Sequence, residues 1–520
     1  MRRRDLLKAT PLLVAPALAR AENRPLRFIP NANLSSIDPI WTTALVAQEH
    51  GYLVFDTLYG MDATGQTRPQ MCAGHELSDD RLTWTFTLRD GLTFHDGEKV
   101  VAKDCVTSLR RWGSRDSFGQ VLMAATNELT ALDDRRFRFR LKKPFSQMLY
   151  GLGARNCFMM PDRMAQASSS EQIKEAIGSG PYRFLPDQWV SGARAAYARF
   201  DGYVPRQEPP SFYAGGKVAK FGRVEWVVQP DSATAAAALQ TGEADWVEQP
   251  LIDLVPMLKR SPDVQVAVND PFGWHTILQL NHLHPPFNNK KLRQALLHAV
   301  DQKQFVQSVI GDQTELARLP AGFFCEGQPM ASHVGLEVLS KPRDLAAAKK
   351  LVAESGYAGE KLVMLSPSDR PVYNQMSQVA RELFLKLGLN VDFQPMDWGS
   401  VVARRANRGP VDQGGWSTFN TALDGMTINN PGSNFALRGS GSKAWFGWPD
   451  DPKLESLRAA WFDAPDLKSQ KAIAEQVQLQ ALETVPYVPL GQIFQPTAFR
   501  SDIQGIVKGP FALFWNVNRA

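Results

Sequence analysis

Three stretches of the chain share one ordering of apolar positions: helical spacing, a glycine, then a short run of alternating or β-branched residues. In "DSATAAAALQTGEADWVE", Asp231 is placed to cap an Ala-rich helix, Gly242 to end it, and Ala244–Val247 reads as a strand. In "DLAAAKKLVAESGYAGEKLVML", Leu345, Ala348 and Val352 fall on one helical face. Gly356 stops that helix and Lys361–Leu365 follows as a strand. In "QMSQVARELFLKLGLNVDFQPM", Met376, Val379, Ala380, Leu383, Phe384 and Leu387 repeat at helical spacing. Gly388 ends the helix and Leu389–Phe393 is the strand. Such alternation predicts an α/β fold, with sheets covered by helices and these stripes as core.

Residues 45–180 pattern differently, with short alternating strands and many turn residues, and predict a separate α+β unit. Within it, "TWTFTLRDGLTFHDGEKVVAKDC" gathers His95, Asp96, Glu98, Lys103, Asp104 and Cys105. Trp84, Phe86 and Leu88 alternate with Thr85, Thr87 and Arg89. Asp90-Gly91 predicts a tight hairpin, with Leu92 and Phe94 on its return strand. Asp96-Gly97 is a second turn, and a helix begins near Ala102 with Asp104 in its first turn, where a carboxylate suits the positive helix end. Each polar residue thus has a structural role, and the cluster does not require a catalytic or metal-binding reading.

The chain has 520 residues, 44% hydrophobic and 21% charged, which implies several structural units and a globular protein. "MRRRDLLKATPLLVAPALARA" reads as an export signal: a basic start, a short apolar run, and small-residue cleavage patterns ending at Ala19 or Ala21. Its "RRDLLK" resembles a twin-arginine signal, which would carry the protein across the membrane already folded. The signal holds +4 of the formal net charge of +5, so the mature chain is near +1. That removes any electrostatic case for a nucleic-acid or anionic-membrane partner. Cys72, Cys105, Cys157 and Cys325 show no C-x-x-C unit or framework spacing, which favours free buried thiols over disulfides. No cysteine lies near the signal's end to carry a lipid anchor.

"TWTFTLRDGLTFHDGEKVVAKDCVTSLRRW" closely resembles the signature of the family 5 extracellular solute-binding proteins, the binding components of ABC importers for dipeptides, oligopeptides, nickel and related solutes. Four other segments are similar to family elements in the family's order. They are "SSIDPIWTTALVAQEHGYLVFDTLY", "GSGPYRFL", "PPFNNKKLRQALLHAVDQKQFV" and "DWGSVVARR". Val101 stands where the family usually has a helix-capping Thr, a departure that touches stability.

The resemblance implies a two-lobed periplasmic binding protein fold with a hinge and an inserted α+β subdomain. Lobe I would be residues 24–272 plus 490–520, with its insert at about 45–180, and lobe II residues 278–486. The crossings would lie near Trp274–Asn281 and Val488–Phe494. It further implies a monomer that closes around a small solute and presents it to permease subunits in the inner membrane, with no cofactor and no catalytic group. For the ligand, it implies Arg370 in "SDRPVYN" as a carboxylate partner. Trp416 and Asp424 in "GGWSTFNTALDGM", Trp274 at the first crossing, Trp41 and Trp398 are the other candidate contacts. The acidic cluster with which dipeptide-binding relatives hold the ligand amine is reduced here to Asp424, which leaves the solute open. Trp445 and Trp448 lie in a Gly-rich loop and suit loop anchoring.

His282 and His284 share a strand face but have no acidic or thiol partner nearby, so no metal site is expected. An exported hydrolase is the rival from another class. The chain has no G-x-S-x-G, H-E-x-x-H, P-loop or G-x-G-x-x-G motif to support it. A chemosensing or chaperone role would use the same cleft.

Overall fold

The computed structural model describes residues 24–153, 157–168 and 170–520. The export signal read at residues 1–21 lies outside them. Two large sheets organise the described chain. The first has seven strands in the order Tyr182–Phe184, Arg194–Arg199, Arg223–Val227, Leu26–Ile29, Trp246–Val247, Thr497–Arg500 and Val264–Ala267. The second has six, in the order Ala317–Arg318, Tyr487–Ile493, Trp274–Leu280, Thr418–Asp424, Lys361–Pro367 and Asn390–Met396. Each sheet is the centre of one lobe.

The three helix–glycine–strand units form as patterned. Asp231 accepts from the Thr234 N–H to cap helix Ser232–Thr241, and Gly242 ends it at φ +77°. Helices Leu345–Glu354 and Pro371–Lys386 bury Ala348, Val352, Met376, Ala380, Leu383 and Phe384 in one core. Gly356 and Gly388 then turn the chain at φ +74° and +79°. Only glycine takes that left-handed backbone without cost. The strands that follow, Lys361–Pro367 and Asn390–Met396, pair in parallel through seven residues of register.

In the first lobe, Cys72–Leu77, Thr83–Leu88, Arg136–Leu141 and Thr126–Ala131 form a separate four-stranded sheet. Trp84, Phe86 and Leu88 face inward as the alternation demands, and Phe86 stacks on Phe137 at 5.2 Å. The expected hairpin does not form. Strand Thr83–Leu88 pairs with Cys72–Leu77 and Arg136–Leu141, while Leu92–Phe94 keeps only a Thr93–Lys99 bridge. The turn at Gly91 is real, but buried Leu92 and Phe94 carry the chain off the sheet, where His95 fastens it to another loop.

His95 Nε2 donates to the Gly180 carbonyl at 3.0 Å, and its Nδ1 accepts from the Gly178 N–H at 3.4 Å. Asp104 accepts from the Val101 and Asp162 N–H groups. It thereby caps its helix from within, since the Val101 side chain offers no acceptor. Asp96 pairs with Arg163 and Lys103 with Asp162, and Cys105 is buried. The polar cluster is therefore spent on holding loops. All four cysteines are free and buried.

The chain passes between the large sheets at 268–273 and 494–496. The first crossing lies just before the expected Trp274–Asn281, and the second overlaps the expected Val488–Phe494 only at Phe494. Trp274 pairs with Ile493 and Thr276 with Gly491, so residues 274–280 and 487–493 are neighbouring strands of the second sheet. The share of 490–493 given to the first lobe is thus corrected by strand pairing. Gly273 sits at φ +63°, where a Cβ would meet the Ile493 carbonyl at 2.6 Å and the Phe494 ring at 3.1 Å, so the two crossings run side by side.

Candidate functional site

The lobes meet on two flanks and enclose a cleft between them. On one flank Phe462 packs against Phe118 and Phe145, with ring centres 5.1 and 5.6 Å apart. There Lys143 also reaches Asp463 at 2.6 Å, and Arg438 donates to Gln120 Oε1 at 3.0 Å. On the other flank Arg370, the N-cap residue of helix Pro371–Lys386, reaches back to the first lobe. Its Nη1 donates to the Asn31 carbonyl at 2.7 Å and to Asn31 Oδ1, and its Nη2 to Gln249 Oε1 at 3.3 Å.

Between the flanks lie two adjoining cavities. The outer one, of about 670 Å³, is lined from the first lobe by Ser36, Trp41, Thr42, Trp112 and Arg115, and from the second by Arg405, Arg408, Lys443, Trp445 and Trp448. The inner one, of about 40 Å³, is lined by Asn31, Thr43, Trp274, Arg370, Trp398, Arg405 and Asp424. Thr43, Arg405, Phe435 and Trp445 border both, so they are parts of one cleft.

Local structure explains how these side chains arrive. Asp38 accepts from the Ile40 and Trp41 N–H groups and from Ile173, while Arg111 meets it at 2.6 Å; both side chains are buried. This knot fixes the loop that carries Trp41. Arg115 lies 4.4 Å from the Trp41 ring centre and donates to the Trp41 carbonyl. Asp424 ends strand Thr418–Asp424 opposite Trp274 and accepts from the Thr427 N–H and hydroxyl. Asp397 caps helix Trp398–Arg404 through the Ser400 N–H, which sets Trp398 against Tyr373 at 5.2 Å.

Of the residues singled out from the sequence, Arg370, Asp424, Trp274 and Trp398 line the inner cavity and Trp41 the outer one. Trp416 does not reach the cleft. It is 1% exposed, packs on Phe419 and Trp448, and donates its Nε1–H to the Arg405 carbonyl. Its role is core of the second lobe, because it lies two residues before Thr418–Asp424, an inner strand of the sheet. Trp445 and Trp448, whose Gly-rich loop favoured loop anchoring over ligand stacking, border the cavity. His282 and His284 each contact a backbone carbonyl, of Pro486 and Arg408.

Sequence reasoning missed Arg405. This side chain is 2% exposed, and its guanidinium lies 4.5 Å from the Phe446 ring centre, 5.6 Å from Trp445 and 5.7 Å from Trp398. Burial pulls its pKa down to about 10, which leaves it charged at neutral pH. The signal was a spacing: Arg405 follows Trp398 by two helical turns, with buried Val401 between them. Within "ARRANR" nothing distinguished it from Arg404 or Arg408.

A second missed pair is Glu49 and Glu248. Glu49 is fully buried on helix Leu45–Val54, and Glu248 accepts from Asn31 N–H and Nδ2. Burial first, then the neighbouring Glu248 carboxylate, raises the Glu49 pKa well above the usual carboxylate range, with Arg370 opposing. The pair adjoins the Arg370 contact between the lobes.

The geometry agrees with comparisons to known proteins. The model of the bacterial extracellular solute-binding proteins, family 5, matches residues 66–439. A probable peptide ABC transporter periplasmic-binding protein of Sinorhizobium fredii is 38% identical over 100% of this chain and 99% of its own. Among solved structures, AgaA of A. tumefaciens R10 in complex with agropinic acid superposes with a TM-score of 0.80 at 19% identity, covering 96% of this chain and 99% of its own. DppA of Helicobacter pylori in complex with peptide STSA gives 0.79 at 22% identity, again over 96% and 99%. Two lobes joined by paired crossings, a cleft walled by both, and a family match over most of the length lead to one conclusion: this chain belongs to the family 5 bacterial extracellular solute-binding proteins.

Proposed function

We propose that this chain captures a small peptide-like solute between its lobes in the periplasm and hands it, chemically unchanged, to the permease of an ABC importer. The observation that carries the reading is the cavity of about 670 Å³ with walls from both lobes. That volume lies within the range of sites that hold small organic ligands. A solute touching both walls favours the closed arrangement over an open one, and the difference is what a permease can sense. The peptide class rests on the likeness to the probable peptide ABC transporter periplasmic-binding protein of S. fredii.

In this reading Trp274, Trp398 and Asp424 form the inner end of the binding site, Arg370 closes that end by bridging the lobes, and Trp41 is part of the outer wall. Residues 24–267 with 497–520 move against 274–493, about the crossings at 268–273 and 494–496. Export as a folded monomer through a twin-arginine signal accounts for the basic leader. The test is native mass spectrometry of purified mature protein with a peptide pool, followed by recovery of the ligand. The reading expects one solute retained per chain and recovered intact, and reduced uptake of that solute in a deletion strain. Steady conversion of the solute, or normal uptake without the protein, would contradict it.

A further inference from the structure

We infer that the captured solute is an acidic one, carrying at least two anionic groups, and that Arg405 is the residue that holds one of them. The inference rests on the solute-carrier reading and adds the charge class of the cargo. It starts from an imbalance inside the cleft. Arg405 makes no side-chain hydrogen bond and no ion pair among the described residues, and its Nε–H is buried without an acceptor. A guanidinium has five N–H donors. Burying such a charge without a hydrogen-bonded counter-ion is strongly unfavourable. Contacts with Phe446, Trp445 and Trp398 recover part of that cost but supply no acceptor in the plane of the guanidinium. Arg405 lines the inner and the outer cavity at once, so a ligand spanning both passes it.

The outer cavity repeats the imbalance. Arg115, Arg408 and Lys443 line it without a carboxylate within ion-pair distance among the described residues, and Asp116 is its one acidic lining side chain. Arg438, by contrast, already pairs with Glu455 at 3.3 Å. A peptide's terminal carboxylate could answer one cation. Arg405 together with three rim cations calls for a second acid on the ligand. Arg370 is not the free cation of this site, since its donors are taken by Asn31 and Gln249. Bidentate pairing with a carboxylate inside a closed cleft is the contact for which arginine geometry is suited.

The probes are the dipeptides Glu-Glu, Gln-Gln and Lys-Lys, alike in length and differing in side-chain charge, titrated calorimetrically into the mature protein. Glu-Glu is expected to bind at least about tenfold tighter than Gln-Gln, with Lys-Lys weaker still. In Arg405→Met the Glu-Glu preference should collapse, while the melting temperature of the ligand-free protein stays level or rises. A purely structural arginine would instead lower that temperature and leave the preference intact. Gln-Gln binding as tightly as Glu-Glu to the wild-type protein overturns the inference, as does an Arg405→Met protein that keeps the preference. If Arg405→Met fails to fold, its assignment as ligand partner is overturned and the wild-type ratio decides the charge class. A mixed pool of acidic, neutral and basic peptides from which nothing is retained sinks the carrier reading itself. Retention of neutral members over acidic ones sinks only this inference.

Discussion

Arg370→Ala should weaken every solute by a similar factor, whatever its charge. Arg370 stands at the start of a second-lobe helix, and its partners Asn31 and Gln249 are on the first lobe. Because the contacts span the two lobes, opening would break them, and they are expected to bias closure rather than grip cargo. A hydrogen bond from a charged donor is worth about 1.5–3 kcal/mol net. Here three such bonds cross between the lobes, to the Asn31 carbonyl at 2.7 Å, to Asn31 Oδ1, and to Gln249 Oε1 at a long 3.3 Å. In the open state water replaces them. A net loss of about 2 kcal/mol is therefore expected, which lowers the closing equilibrium and the apparent affinity by about 30-fold. Isothermal titration with an acidic and a neutral peptide gives the two factors, and scattering on the ligand-free mutant reports a shift toward the open form. Unchanged affinity would refute the closure role. A loss confined to the acidic peptide would return Arg370 to the carboxylate-binding role that its "RPVY" context implied.

Arg111→Met strands the Asp38 carboxylate in a buried loop knot and should cost about 3–5 kcal/mol in denaturant unfolding; less than about 1 kcal/mol would mean the pair does not hold the Trp41 loop. Glu49→Gln tests the buried carboxyl pair through pH. The raised Glu49 pKa means stability is full below its ordinary value of 4.5 and falls as pH climbs through the folded value. The mutant should therefore gain on the wild type as pH rises from about 5 to 8, and a gap independent of pH would contradict a raised Glu49 pKa. Val101→Thr restores a side-chain acceptor at the N-cap of helix Ala102–Arg115 and should stabilise by about 0.5–1 kcal/mol, read from the shift in denaturation midpoint. No gain would mean that Asp104 already satisfies that helix end.

What the sequence revealed follows from how local each signal is. Gly242, Gly356 and Gly388 mark helix ends because left-handed backbone is a property of one residue, and the strands after them follow from period alone. The Asp90-Gly91 turn was read correctly, but not its consequence. Strand Thr83–Leu88 pairs with Cys72–Leu77 before it and with distant Arg136–Leu141, not with the residues after the turn, and no local pattern shows which strand will win. The same limit separates Trp416 from Trp398. Both are tryptophans near strand or helix ends, and only tertiary packing decides that one is core and the other lines the cleft. Arg405 was hidden for a related reason. A buried cation can be told from a solvated one in an arginine-rich helix end only when the rings of Trp445 and Phe446, from another loop, are in place.

Small-angle scattering on the mature protein, with and without a saturating solute identified by native mass spectrometry, measures lobe closure directly. Hinged capture requires a ligand-free envelope more extended than the bound one, with the bound curve matching the closed arrangement in which Arg370 reaches Asn31. Superimposable curves in the two states would show that the lobes do not move for their cargo.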